Sequence, residues 1–158
     1  MHQTPYVHRM FRDVFTGIDT RQKKAIPINE LHTLLNEDPQ SDKLRRTQAI
    51  ANLLFLFCGM PFVDLAYLEK SNLEGNMLKY NRAKTGIPMN VEILDSAATI
   101  ISQLRNKHTT VLPEHPDYLF YILSGKNKRS DEAGYKEYQS ALRCFNNDLK
   151  SLARKLCI

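Results

Sequence analysis

The sequence predicts a mainly α-helical fold with a small antiparallel β-hairpin, an α+β chain, on three observations. Tyr135, Tyr138, Leu142, Phe145, Leu149, Leu152 and Leu156 alternate steps of three and four, which places them on one helix face. The run from Ala49 to Cys58 is apolar on nearly every side, as a helix at the centre of a core would be. Between these two segments the pattern changes. The turn dipeptides Gly75-Asn76 and Thr85-Gly86 bracket Met77-Leu78-Lys79-Tyr80, and Ile87 to Val91 follows, which reads as two short strands joined by a turn.

Taken in order, residues 1–26 are basic and polar, with Arg9, Arg12, Arg21, Lys23 and Lys24 around a short apolar patch at Phe11, Val14 and Phe15. They read as a linker or arm. Residues 27–158 read as one domain, since 158 residues suffice for one core and not comfortably for two. Pro27 suits a first helical turn, Ile28, Leu31, Leu34 and Leu35 share a helix face, and Pro39 stops that helix. Ser41 is a suitable N-cap for the second helix, which Gly59 ends. Pro61 opens a short third helix through Leu68, with Asp64 set among apolar neighbours. A fourth helix spans about Asp95 to Lys107, Tyr118 to Leu123 is a short buried segment after the loop holding Pro113 and Pro116, and Lys126 to Asp131 is a polar basic loop. The final helix has coiled-coil spacing over about three heptads but no consistent flanking charge code, so docking on its own core is the expected use of its stripe.

Composition narrows the function classes. With 42% hydrophobic and 25% charged residues the chain carries no signature of disorder. Its longest apolar run, Ala49 to Phe57 interrupted by Asn52, is too short to span a bilayer, and Met1-His2-Gln3-Thr4-Pro5 does not begin a signal peptide, so a cytoplasmic protein without membrane partners is expected. Cys58, Cys144 and Cys157 form no Cys-x-x-Cys pair, and the five histidines lack ligand spacing, so neither a disulfide framework, a metal nor another cofactor is expected. A net charge of +5 favours a polyanionic partner. The candidate phosphate contacts are Arg45, Arg46, Arg82, Lys84, Lys126, Lys128 and Arg129, although any charged loop has this composition.

The informative stretch is Phe57-Cys58-Gly59-Met60-Pro61-Phe62-Val63-Asp64-Leu65-Ala66-Tyr67-Leu68, followed by the hairpin ending Arg82-Ala83-Lys84-Thr85-Gly86. It resembles the tyrosine recombinase or phage integrase family, in particular the integrases and transposon recombinases of Bacteroides-type bacteria, in which an Arg-Gly-Met-(Ser/Pro)-Phe-Val-Asp stretch precedes a hairpin carrying Lys-Thr-Gly. Lys23 to Pro27, Tyr118-Leu119-Phe120 and Tyr138 to Arg143 are further similar segments, and the resemblance spans roughly residues 10–156. It implies the N-terminal part of a recombinase catalytic domain, with residues 1–26 a linker or the end of a missing N-terminal DNA-clamping domain, acting on double-stranded DNA through a phosphotyrosyl intermediate, with the complete protein a tetramer on DNA.

That chemistry needs fixed positive donors for the phosphoryl charge and an acid for the leaving oxygen. The resemblance places the hairpin lysine on Lys84 and the bracing acid on Asp64, whereas the first arginine falls on Cys58, which cannot supply a forked cation. The family's His-x-x-Arg box and nucleophilic tyrosine follow the late helix, and no histidine here begins such a box. The expectation is therefore a DNA-binding fragment, inactive as given. The alternatives are a non-catalytic DNA-binding or recombination accessory protein, and an interaction protein whose late helix pairs with a partner.

Each site residue also has a plainer reading. A lysine beside glycine is usually solvated, and it is the surrounding match that gives Lys84 a role. Asp64 reads as a supported, partly buried carboxylate, Cys58 as an inert core thiol, and Tyr135 and Tyr138 as core residues rather than nucleophiles.

Overall fold

The computed structural model describes residues 26–105, 117–127 and 129–158. All of the proposed linker but Ile26, the loop with Pro113 and Pro116, the far end of the fourth helix and Lys128 lie outside the described residues. Five helices and one small sheet follow in the order α1 (Ile28–Asn36), α2 (Asp42–Leu56), α3 (Phe62–Ala66), β1 (Leu73–Glu74), β2 (Met77–Asn81), β3 (Pro88–Glu92), α4 (Asp95–Arg105) and α5 (Glu132–Lys155), with one 3-10 turn between α3 and β1. The fold is mainly helical with an antiparallel sheet, which has three strands rather than the expected two.

Helix α2 is the centre of the molecule. It packs on α1, α4 and α5, and it sends Ile50, Leu53 and Phe57 into a core shared with Leu65, Leu68, Leu78, Leu119 and Phe120. It is not buried all round, because Phe55 on its outer side is 55% exposed. Polar groups of α2 hold α1 in place. Gln48 Nε2 donates to the carbonyls of Leu34 and Glu37, and Asn52 Nδ2 donates to that of Leu35, so side chains of the neighbouring helix satisfy carbonyls that the end of α1 leaves open. Helix α5 lies across α2 and α3, where the Phe145 ring stacks on Phe62 at 4.7 Å between centroids and Tyr138 lies 6.3 Å from the same ring. Its stripe is thus used within the chain. Only Leu152 and Gly134 are fully covered on this helix, and Tyr135, expected in the core, is 58% exposed near its first turn.

Arg46 occupies the inner part of this packing. Its guanidinium donates to the carbonyls of Phe120 at 3.1 Å and Tyr121 at 3.3 Å, and burial holds its pKa below the usual guanidinium value. This ties the buried segment Tyr118–Leu123 to α2. Replacing Arg46 by Met keeps much of the volume and removes both hydrogen bonds, which come from the one nitrogen Nη2. The expected loss is about 1.5–3 kcal/mol, the range for hydrogen bonds to a charged group, read as a lowered urea midpoint at unchanged slope.

On the other side of that segment, Leu119 N–H donates to Leu68 C=O at 2.7 Å and Lys70 N–H to Asp117 C=O at 2.9 Å, around a single bridge between Glu69 and Tyr118. Glu137 of α5 fixes the following loop, accepting from Ser124 N–H at 2.5 Å and from Asn127 Nδ2 at 3.0 Å. Burial pushes its carboxyl up, and these donors outweigh that effect to leave it below the ordinary value. A depressed carboxyl contributes stability above its unfolded range and loses it as pH falls through the folded one. The Ser124 amide resonance is therefore expected to titrate with a midpoint below the ordinary glutamate value, checked by NMR across the acid range.

Candidate functional site

The motif residues fall on the rim of the core where α2 ends. The helix stops at Leu56, and Cys58 (φ 58°) and Gly59 (φ 74°) are consecutive left-handed residues. That turn sends Phe57 inward, at 2% exposure, and Cys58 outward. Cys58 is exposed, so the expected core thiol is corrected: alternation at the helix end, not hydrophobicity, sets which side chain is buried. Its left-handed backbone is unusual for a residue with a Cβ.

Pro61, at φ −63°, leads into α3. This helix is shorter than the expected span because Leu68 has left it to meet Leu119. Asp64 in α3 is more deeply buried than expected, at 5% exposure. Its Oδ1 accepts the backbone N–H of Ala83 at 2.9 Å, nineteen residues further along the chain. Its Oδ2, also buried, accepts no hydrogen bond from the described residues.

Ala83 belongs to the turn between β2 and β3. The strands pair from Met77 with Glu92 to Asn81 with Pro88, and the turn closes through Arg82 N–H to Ile87 C=O at 2.9 Å and Gly86 N–H to Arg82 C=O at 2.7 Å, with Gly86 left-handed at φ 70°. The Asp64 bond thus anchors one end of the turn that presents Lys84. Arg82 and Lys84 are exposed, and neither forms an ion pair among the described residues.

Sequence reading did not single out the tyrosines here. Tyr80 of β2 has its hydroxyl pKa raised by burial first, then by Asp64, with Arg82 pulling the other way and Cys58 adding to the rise. Cys58, Asp64, Tyr80 and Arg82 therefore share one electrostatic neighbourhood. Asp64, Tyr67, Tyr80, Asn81 and Arg129 also line one polar cleft of ≈ 240 Å³. The Arg129 guanidinium carbon stands 4.8 Å from the centroid of the Tyr67 ring. Alternation along β2 was the available signal: Leu78 and Tyr80 share a sheet face, with Leu78 buried and Tyr80 half-buried.

The other basic candidates divide. Arg45 pairs with Asp38 and Asp42 on the surface, Arg46 is committed to the Phe120 and Tyr121 carbonyls, and Lys126 is exposed in the loop before α5. The structure thus brings Asp64, Arg82 and Arg129 towards Tyr80 and the cleft, and leaves Arg45 and Arg46 in other roles. A larger apolar groove of ≈ 430 Å³ between α1 and α5, lined by Leu34, Leu149 and Ala153, shares none of these residues. No helix among the described residues is long and apolar enough to cross a membrane.

Compared with protein-family models, with curated proteins and with solved structures, the chain matches none.

Proposed function

We propose that the chain is a DNA-binding part of a site-specific tyrosine recombinase or integrase, which binds duplex DNA through the turn carrying Lys84 and does not itself cut the strand. The observation that carries this reading is the hydrogen bond from Ala83 N–H to Asp64 Oδ1, because it joins the two segments on which the resemblance rests, Gly59 to Asp64 and Lys84 to Gly86. A buried carboxylate anchored to a turn holds the turn in one conformation, which a lysine needs if it is to meet one phosphate oxygen rather than any. Arg82, exposed at the same turn, gives a second cation for the phosphate backbone.

The same residues argue against strand cleavage by this chain. At position 58 an exposed thiol stands where the resemblance implies a guanidinium, and no histidine opens a His-x-x-Arg box. A nicked suicide duplex is expected to give no covalent protein–DNA species, with the starting protein or with Cys58→Arg. Denaturing gel electrophoresis checks this, and any adduct would overturn the reading of the chain as non-cleaving. Binding itself is tested by fluorescence anisotropy with labelled duplex, in which Lys84→Gln is expected to weaken association and Arg45→Gln, at a cation already paired with two carboxylates, to change it little. The reading of α5 as a partner-pairing helix is disfavoured, since Tyr138 and Phe145 pack on Phe62 of the same chain.

A further inference from the structure

Asp64, one of the residues lining the cleft beside Tyr80, carries an unmet acceptor. Asp64 is 5% exposed, Oδ1 is taken by Ala83 N–H, and Oδ2 has no donor among the described residues. A carboxylate oxygen in this position calls for a donor, and a cationic donor gives the stronger bond. The cleft's walls narrow the choice. Tyr67 and Tyr80 supply aromatic faces, and Glu69 adds a second carboxylate at the rim, so a phosphate or carboxylate ligand is opposed by charge. A guanidinium suits these walls better than an ammonium, because it is planar, weakly hydrated, and stacks while it donates in its own plane. One wall already takes such a group, as the Arg129 guanidinium carbon lies over the Tyr67 ring, 4.8 Å from its centroid.

We propose that this cleft is a binding site for a guanidinium group, with Asp64 Oδ2 as its acceptor and the Tyr67 ring as its stacking face. The group has two sources of the same chemistry. Arg129 moves from its place over the Tyr67 ring to Asp64, or an arginine side chain of another polypeptide enters and displaces it. The proposal is independent of DNA binding, and failure of either leaves the other standing.

The probe is N-acetyl-L-arginine methylamide, titrated into the full chain and followed by the Ala83 amide resonance, which reports on Asp64 through their hydrogen bond. The control is the citrulline analogue, which has the same shape and no charge. Saturable shifts with arginine and none with citrulline are expected. Asp64→Asn keeps an oxygen for Ala83 N–H and replaces the acceptor, and it should weaken binding by about tenfold or more, as loss of a charge-assisted hydrogen bond requires. Arg129→Gln frees the Tyr67 face and should tighten binding. Binding to the unsubstituted chain assigns the site to an external arginine, while binding seen only with Arg129→Gln assigns it to Arg129 itself, and both support the chemistry. Equal response to citrulline, undiminished affinity in a folded Asp64→Asn chain, or no saturable shift with or without Arg129 would overturn it. If Asp64→Asn does not fold, the comparison of arginine with citrulline decides alone.

Discussion

Phe57→Ala is expected to lower the free energy of unfolding by about 3–5 kcal/mol, the cost of deleting a fully buried aromatic ring together with the cavity it leaves. The side chain is 2% exposed and belongs to the same core as Leu53, Leu65, Leu78 and Phe120, contributed by α2, α3, β2 and the segment after α4. No single element can move to refill the space, so the loss should fall at the upper end of that range. Against a typical total of about 5–15 kcal/mol, such a loss leaves the domain marginal. Urea unfolding followed by circular dichroism measures it. Phe55→Ala, two positions earlier on the same helix and 55% exposed in the starting protein, is expected to shift the stability by no more than about 0.5 kcal/mol. Equal losses for the two substitutions would refute the assignment of Phe57 to the centre of the core.

The second large effect concerns salt. On the DNA-binding reading, the exposed cations Arg82, Lys84 and Lys126 are the phosphate contacts, and Arg45, Arg46 and Arg129 are not, because each already has a partner in the fold. About three contacts imply a slope near −2.7 in log K against log salt, hence a loss of affinity of about fortyfold between about 50 and 200 mM salt. Lys84→Gln and Arg82→Gln should each reduce the slope by about one. Anisotropy titrations at several salt concentrations provide the test. Absence of binding at the lowest salt, or a slope unchanged by both substitutions, would end the DNA reading of this turn.

The parts of the fold legible in the sequence were those governed by periodicity. The starts of α1 and α2 at Pro27 and Ser41 and the long run of α5 follow from residue preference and apolar spacing, and the structure has them at those places, although the Ser41 side chain makes no capping hydrogen bond. Strand β1 was not legible, because two residues carry no period; it exists through the pairing of Leu73 with Leu78 and of Glu74 with Met77 across the Gly75-Asn76 turn. Exposure of Phe55 and Tyr135 was misread for a related reason. An apolar residue on a helix says which face prefers burial, while the neighbours available decide how much of that face is covered. At the site, Asp64 and Lys84 are singled out by resemblance alone. The link between them was hidden, since a side chain accepting from a backbone N–H leaves no mark on the identity of Ala83. Arg46 shows the converse, a residue read as surface charge that spends its donors on two carbonyls inside the fold.

The left-handed turn at Cys58 and Gly59 has an evolutionary consequence. At φ 58° the backbone strain at position 58 is set by the presence of a Cβ, and it is similar for cysteine, arginine or any unbranched residue. The side chain is outside the core, so its size and polarity bear little on folding. Selection for a stable fold therefore discriminates little among unbranched side chains at this position, cysteine and arginine included, and leaves the choice to whatever the exposed side chain meets.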